Sequence, residues 1–287
     1  MKQQKWVLLV ALALVWGSSF ILIKKGLTGL SPIQVGASRI VFAALFLMLI
    51  GANQVAKVPS FKWKYIALTS LFGTFIPAFL FATAQVYISS TVSAVLNSLT
   101  PLNTFIIGII GFGATFVRRQ MLGVVIGLSG SLILILNGAA NHPEQDYRFA
   151  AFIVIASICY AINVNLINKF LSDIPPFTIT VGNFAVMLVP ASIVLACTGI
   201  HANISDESVL NALFFVAILG IVGTGLANIV FFKLIQISSP VFATSVTYLI
   251  PVVAFCWGLF DGESLTLIQL LGAAVVLSGV YLAAKKQ

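Results

Sequence analysis

The sequence predicts an all-α integral membrane protein, with ten transmembrane helices arranged as two inverted five-helix repeats. Three observations carry this expectation. Only 8% of the 287 residues are charged and 60% are hydrophobic, whereas a soluble domain carries about 25% charge to build a polar exterior. Ten apolar segments each come close to the roughly 20 residues that cross a hydrocarbon core. The two halves of the chain also carry matching residues at nearly constant offsets.

The segments in order begin with Trp6–Ile23. Its apolar run starts beside Met1 but lacks a convincing cleavage site, so it is read as the first membrane helix rather than a signal peptide. Pro32–Ile50 follows, opening on a proline whose missing N–H costs nothing in a first turn. Tyr65–Gln85, Thr91–Phe112 and Gln120–Leu136 complete the first half. The longest loop, Gly138–Arg148, is the natural midpoint. Phe149–Phe170, Pro176–Thr198 (again opened by proline), Val209–Ile235, Ser239–Phe260 and Leu265–Ala284 make up the second half. The expected organisation is therefore a first repeat over 6–137, an outer linker over 138–148 and a second repeat over 149–284.

The net charge of +8 does not point to nucleic acid, because the bases sit singly at segment ends. With the N-terminus inside, Lys2, Lys5, Lys57, Lys62, Lys64, Arg118, Arg119, Lys169, Lys233, Lys285 and Lys286 are cytoplasmic, and only Lys24, Lys25 and Arg148 are external. Excess Lys and Arg mark the inner side. Both termini are expected in the cytoplasm of a multi-pass protein of the cytoplasmic (inner) membrane.

At one offset Trp16 pairs with Tyr160, Lys25 with Lys169, Pro32 with Pro176 and Arg39 with Asn183. At a slightly larger one Gly73 pairs with Gly223, Thr74 with Thr224 and Pro101 with Pro251. Five helices is an odd number, so the second repeat enters the membrane from the opposite side. Inverted repeats place a substrate site near the midplane where they meet.

The candidate site residues follow from polarity inside the membrane. On a helix Ser90, Ser93, Asn97, Thr100 and Thr104 fall on one stripe, which should face protein or water rather than lipid. Thr247 is the counterpart of Asn97, and Tyr248 beside it adds a ring and a hydroxyl. Gln85, Asn163 and Asn228 are the other amides marked as substrate contacts, with helix-to-helix hydrogen bonding as the competing role. Trp16 and Tyr160 could sandwich a flat solute, or could be core aromatics. Arg39 lies seven residues into its segment, roughly 10 Å along the axis. An intramembrane charge is a functional candidate by default, with snorkelling or structural pairing as the alternative for both Arg39 and Lys24. Gly123 with Gly127, and Gly272 with Gly279, offer small faces for close helix packing. Pro101 and Pro251 are candidate hinges.

Several motifs resemble the EamA-type drug/metabolite transporters: Trp16 to Lys24 (WGSSFILIK), the Ser31-Pro32 pair followed by Arg39, and the polar helix ending in Pro101. Ser238 to Thr244 (SSPVFAT), Asp261 to Glu263 (DGE) and Gln269 to Gly279 (QLLG, then Gly279) match in the second half. The resemblance spans both repeats. It implies ten helices, an inner-membrane location and transport of small metabolites, often amino-acid-like or aromatic and commonly outward. Members often carry a Gly-Glu pair before the last helix of each repeat; the first half has Gly113-Ala114 instead, which leaves the role of that acid on Glu263 alone.

All seven acids fall in loops or at helix ends, and His142 and His201 lie in separate loops. Proton relays use intramembrane carboxylates or histidines, so facilitated transport or exchange is expected ahead of proton coupling. Cys159, Cys197 and Cys256 sit in apolar segments, which disfavours a disulfide framework. The expected function is secondary transport of small organic metabolites by alternating access, as exporter, facilitator or exchanger. No metal, cofactor or nucleic acid is expected, and the partners are the solute and the bilayer, with a monomer favoured over a homodimer. A channel and a polytopic membrane enzyme are the competing readings; the scattered histidines and acids offer the enzyme no catalytic cluster. The uncharged polar lining favours a neutral or zwitterionic, partly apolar solute.

Overall fold

The computed structural model describes residues 2–114, 118–141, 145–200, 206–262 and 266–284. Glu263, His142, His201 and the C-terminal lysines lie outside the described residues. The described chain is helical throughout and contains no strand. Among these residues eight helices are long and apolar enough to cross a membrane. They are α1 (Gln3–Gly26), α2 (Pro32–Lys57), α3 (Ser60–Tyr87), α4 (Ser90–Phe112), α6 (Tyr147–Phe170), α7 (Pro176–Cys197), α8 (Glu207–Ile237) and α9 (Pro240–Phe260). Two further helices, α5 (Arg118–Asn141) and α10 (Leu267–Ala284), coincide with the other two expected segments.

In a bilayer each backbone N–H and C=O must be satisfied inside its own segment, which leaves a helix as the solution for every apolar stretch here. Caps then set the ends. Ser31 accepts from the N–H of Gln34, whose side chain accepts from the N–H of Ser31, a reciprocal box ahead of Pro32. Ser89 and Ser239 cap α4 and α9 with their side chains alone, accepting from the N–H of Val92 and Phe242 at matching places in the two halves.

Four of the helices are not regular, and these irregularities build the site. The polar stripe of α4 does not run along one continuous helix. It breaks after Asn97 and resumes at Thr100. Pro101 has no N–H to offer the carbonyl of Asn97, and the Thr100 hydroxyl takes that carbonyl instead at 2.7 Å. α9 breaks likewise: a 3₁₀ turn over Ser245–Tyr248 precedes Pro251, and hydroxyls of Thr244 and Thr247 fold back on carbonyls of Pro240 and Thr244. In α3 the stretch Leu71–Phe75 is π-helical, where Pro77 leaves the Gly73 carbonyl without its α-helical donor. In α8 the π-helical stretch is Leu219–Leu226, at the equivalent place in the second half. Such bulges are frequent at functional sites.

α5 and α10 pack against each other, backbone on backbone. A Cβ added to Gly279 would lie 2.3 Å from the Gly127 nitrogen and 2.6 Å from the Gly123 carbonyl oxygen. The small-residue faces read from the sequence therefore meet within one chain. α2 packs against α7 and the π-helical part of α8, and α6 against α3 and α4.

Candidate functional site

A cavity opens where the four irregular helices meet α1, α2 and α6. Trp16, Ser19 and Phe20 of α1, Arg39 of α2, and Gly73, Thr74 and Phe81 of α3 line it. Asn97 and Thr100 of α4, Tyr160 and Asn163 of α6, Thr224, Asn228 and Phe231 of α8, and Thr244 and Thr247 of α9 continue the wall, with Ile23, Gly223 and Ile250 between them.

Of the residues singled out from the sequence, Trp16, Asn97, Tyr160, Asn163, Asn228 and Thr247 are brought together in this cavity. Gln85, Ser93 and Tyr248 do not line it. They are packed elsewhere, and the Gln85 amide, the Ser93 Oγ and the Tyr248 hydroxyl have no hydrogen-bond partner. Ser93 lies one turn before Asn97 on the same unbroken stretch, and Thr100 beyond the break still reaches the cavity, so membership of the stripe alone does not decide which residues line it. Trp16 and Tyr160 both reach the cavity, but each stacks with another ring. Trp16 meets Phe231 edge-on at 4.9 Å, and Tyr160 lies over Phe81 at 6.0 Å.

The irregular backbone fixes polar groups along the wall. In the π-helical stretch the N–H of Ala227 goes to the carbonyls of Val222 and Thr224, which frees the Gly223 carbonyl. The Trp16 indole N–H donates to that carbonyl at 2.9 Å. The Thr224 hydroxyl donates to the Leu219 carbonyl at 3.0 Å and accepts two bonds from Arg39, from Nη2 at 2.9 Å and Nε at 3.2 Å. Arg39 thus neither snorkels nor pairs with an acid; it faces the cavity. Thr224 is the contact that sequence reasoning missed. Its signal was the match of Thr74 to Thr224 across the repeats, each one residue after a matched glycine.

Lys24 sits apart from the cavity. Its Nζ lies 2.7 Å from Asp261 Oδ2, and Lys25 reaches Asp261 Oδ1 at 2.6 Å. These ammonium groups, Lys24 foremost, hold the Asp261 carboxyl below the usual carboxylate range. At the other end of the molecule Lys62 of α3 pairs with Asp173 in the α6–α7 turn at 2.8 Å and donates to the Phe170 carbonyl. Each pair joins the first half of the chain to the second. Other amides act as helix-to-helix ties: Asn103 bonds Ser157, Asn165 bonds the Thr104 carbonyl, and Asn183 accepts from Thr69.

Comparison with known proteins gives this architecture its place. The EamA-like transporter family matches twice, over residues 4–136 and 148–285. An uncharacterized transporter of Archaeoglobus fulgidus is 25% identical over 99% of this chain and 100% of its own. The uncharacterized inner membrane transporter YedA of Escherichia coli K12 is 27% identical over 96% of this chain and 88% of its own. A protein of the same strain named "Probable amino-acid metabolite efflux pump" is 24% identical over 98% and 95%. A solved crystal structure with 16% identity superposes at a TM-score of 0.66, covering 99% of this chain and 98% of that one, and supports the fold alone. Two family matches that between them cover nearly the whole of a multi-pass helical chain, one on each side of its midpoint, make this protein a member of the EamA-like transporter family.

Proposed function

We propose that this membrane transporter moves small organic metabolites by alternating access, with ten membrane helices forming two inverted five-helix repeats over 6–137 and 149–284. Both termini face the cytoplasm of a bacterial-type inner membrane, as the lysine and arginine bias requires. The solutes are amino-acid-like or aromatic and move outward or in exchange, in keeping with the amino-acid metabolite efflux pump among the relatives. The carrier works as a monomer, because the closest glycine crossing is used up within one chain.

One observation carries the mechanism: the cavity is bracketed along its helices by two apolar layers. One layer contains Ile23, Phe81, Ile153, Val216 and Ala254. The other contains Leu12, Ile66, Ile167, Phe232 and Ala243. On α6, α8 and α9 the cavity residues lie between the two layers in sequence, and on α1 and α3 the layer residues Ile23 and Phe81 themselves form one end of the cavity wall. A carrier needs such a pair of seals and opens one at a time; a channel needs both open together. The Lys24–Asp261–Lys25 cluster latches the outer end, where α1 meets α9.

Single cysteines at Ile23 and Ile167 test this in a background lacking the native cysteines. Replacing Asp261 by Asn is expected to raise labelling of Ile23→Cys by an impermeant thiol reagent from outside and lower that of Ile167→Cys from inside. Rates that rise together at both positions would refute alternation and favour a channel. The latch also has a defined pH window. Because the folded carboxyl is depressed, its contribution is complete above the ordinary carboxylate value of about 3.9 and is lost as pH falls through the lower folded value. Labelling of Ile23→Cys, taken relative to a freely exposed reference cysteine at the same pH because the thiolate is the reacting form, should therefore be flat from about pH 5 to 8 and match the Asp261→Asn level only under stronger acid. An uptake driven uphill by a pH gradient alone would overturn the expectation that protons are not coupled.

A further inference from the structure

The cavity holds a cation with no anion. Arg39 has five N–H donors, and its hydrogen bonds are the two to the uncharged Thr224 hydroxyl. Among the described residues no Asp or Glu lines the cavity. The ion pairs among the described residues all lie elsewhere, on Lys24, Lys25, Lys62 and Arg148. A guanidinium desolvated at membrane depth is costly until a carboxylate meets it, and the planar fork suits a two-point bond to such a group.

Two more polar atoms on the same wall lack partners, the Thr74 hydroxyl and the Asn163 Oδ1. Thr74 is the repeat counterpart of Thr224, so equivalent hydroxyls occur on the two π-helical stretches, one engaged by Arg39 and one unengaged. The rest of the wall is dominated by rings, among them Phe20, Phe81, Tyr160 and Phe231. Such rings hold an apolar or flat body by stacking and area burial.

Resting on the transporter reading above, we infer that the substrates are monocarboxylates with an apolar or aromatic body, anchored by their carboxylate on Arg39 and carrying a net charge of −1. This departs from the neutral or zwitterionic solute that the uncharged stripe suggested, and narrows the amino-acid-like or aromatic class proposed above to its members without an ammonium group. A zwitterion would bring an ammonium group, and no acid lines the cavity to receive it. The charge also supplies a driving force. With no intramembrane acid among the described residues to carry a proton, each net outward cycle, as distinct from a one-for-one exchange, moves one negative charge, and an inside-negative potential drives that charge outward. A potential of about 100 mV sustains a gradient of roughly 50-fold for a single charge.

Three probes that share a phenyl body and differ in charge decide the matter: 3-phenylpropionate at −1, phenylalanine as the zwitterion, and phenethylamine at +1. The purified protein is reconstituted on a supported membrane, so that only charge movement is recorded and leak of the neutral acid is silent. Binding is followed in parallel by quenching of tryptophan fluorescence. The expected result is a saturable negative current with 3-phenylpropionate, weaker binding of the other two, and a loss of about 10-fold or more in 3-phenylpropionate affinity in Arg39→Gln, the size of a hydrogen bond to a charged group. Arg39→Lys should recover part of that loss. The charge series on the wild-type protein stands even where Arg39→Gln does not fold. Preference for phenylalanine or phenethylamine, or full 3-phenylpropionate affinity in a folded Arg39→Gln, would overturn the carboxylate assignment and leave the carrier reading intact. No binding of any of the three, or a non-saturable current with both charged probes, would overturn both.

Discussion

The Gly279→Leu variant is expected to lose about 3 kcal/mol of stability, the upper end of what overpacking usually costs. At Gly279 even a first side-chain carbon would sit 2.3 Å from the Gly127 nitrogen and 2.8 Å from its Cα. These are backbone atoms of α5, so no rotamer change can make room, and α10 must move away as a unit. Gly130 repeats the contact from the other helix, its added Cβ falling 2.6 Å from the Val276 nitrogen. Membrane helices gain little from a hydrophobic effect between them and depend on this kind of close approach. The check is the heating temperature at which half the detergent-solubilised protein is lost, with Gly111→Ala as control. An added Cβ at Gly111 meets nothing within 4 Å, so the control should behave as wild type. Equal melting of Gly279→Leu and the control would show that α5 and α10 do not cross at their glycines.

Thr224→Val is expected to cost about 1.5–3 kcal/mol, the range for hydrogen bonds to a charged group. The substitution keeps the shape of the side chain and removes one oxygen. That oxygen accepts both observed bonds from Arg39 and returns a proton to the Leu219 carbonyl. Without it the guanidinium loses its acceptor and its orientation in the cavity. Transport should fall by about an order of magnitude or more, since each 1.4 kcal/mol is tenfold. Thr224→Ser should restore both stability and transport. Valine performing as well as serine would mean that the hydroxyl neither holds Arg39 nor shapes the π-helical stretch.

These two positions differ in how far the sequence revealed them. Gly123, Gly127, Gly272 and Gly279 are legible as small faces because close packing leaves its mark on residue size alone. That Gly279 nests between Gly123 and Gly127 of its own chain is a tertiary fact. Thr224 was visible only as a repeat match to Thr74. A hydroxyl in a membrane helix usually bonds its own backbone, as Thr69, Thr180 and Thr244 do here, so its type carries no functional signal. The sequence marks Arg39 as an intramembrane charge but leaves snorkelling open, because it gives depth only along the residue's own helix. The packing of α2 against α8 turns that position into a cavity wall.

The sequence by itself determined that the chain is helical and membrane-embedded, that it carries at least the eight described segments long and apolar enough to cross, and that two related halves flank a polar centre. It could do so because the bilayer constrains each segment separately: length, charge and backbone satisfaction are local quantities. It also brought Trp16, Asn97, Tyr160, Asn163, Asn228 and Thr247 forward, since polar or amphipathic groups at membrane depth are rare. Only the tertiary structure decided that Gln85, Ser93 and Tyr248 stand off the cavity, that Lys24 is held by Asp261, and that the cavity carries one unpaired positive charge. Those outcomes depend on where helices break and which faces meet. Prolines and π-helical turns reset the register within a segment, and the sum of charges on a wall exists only once seven helices have come together.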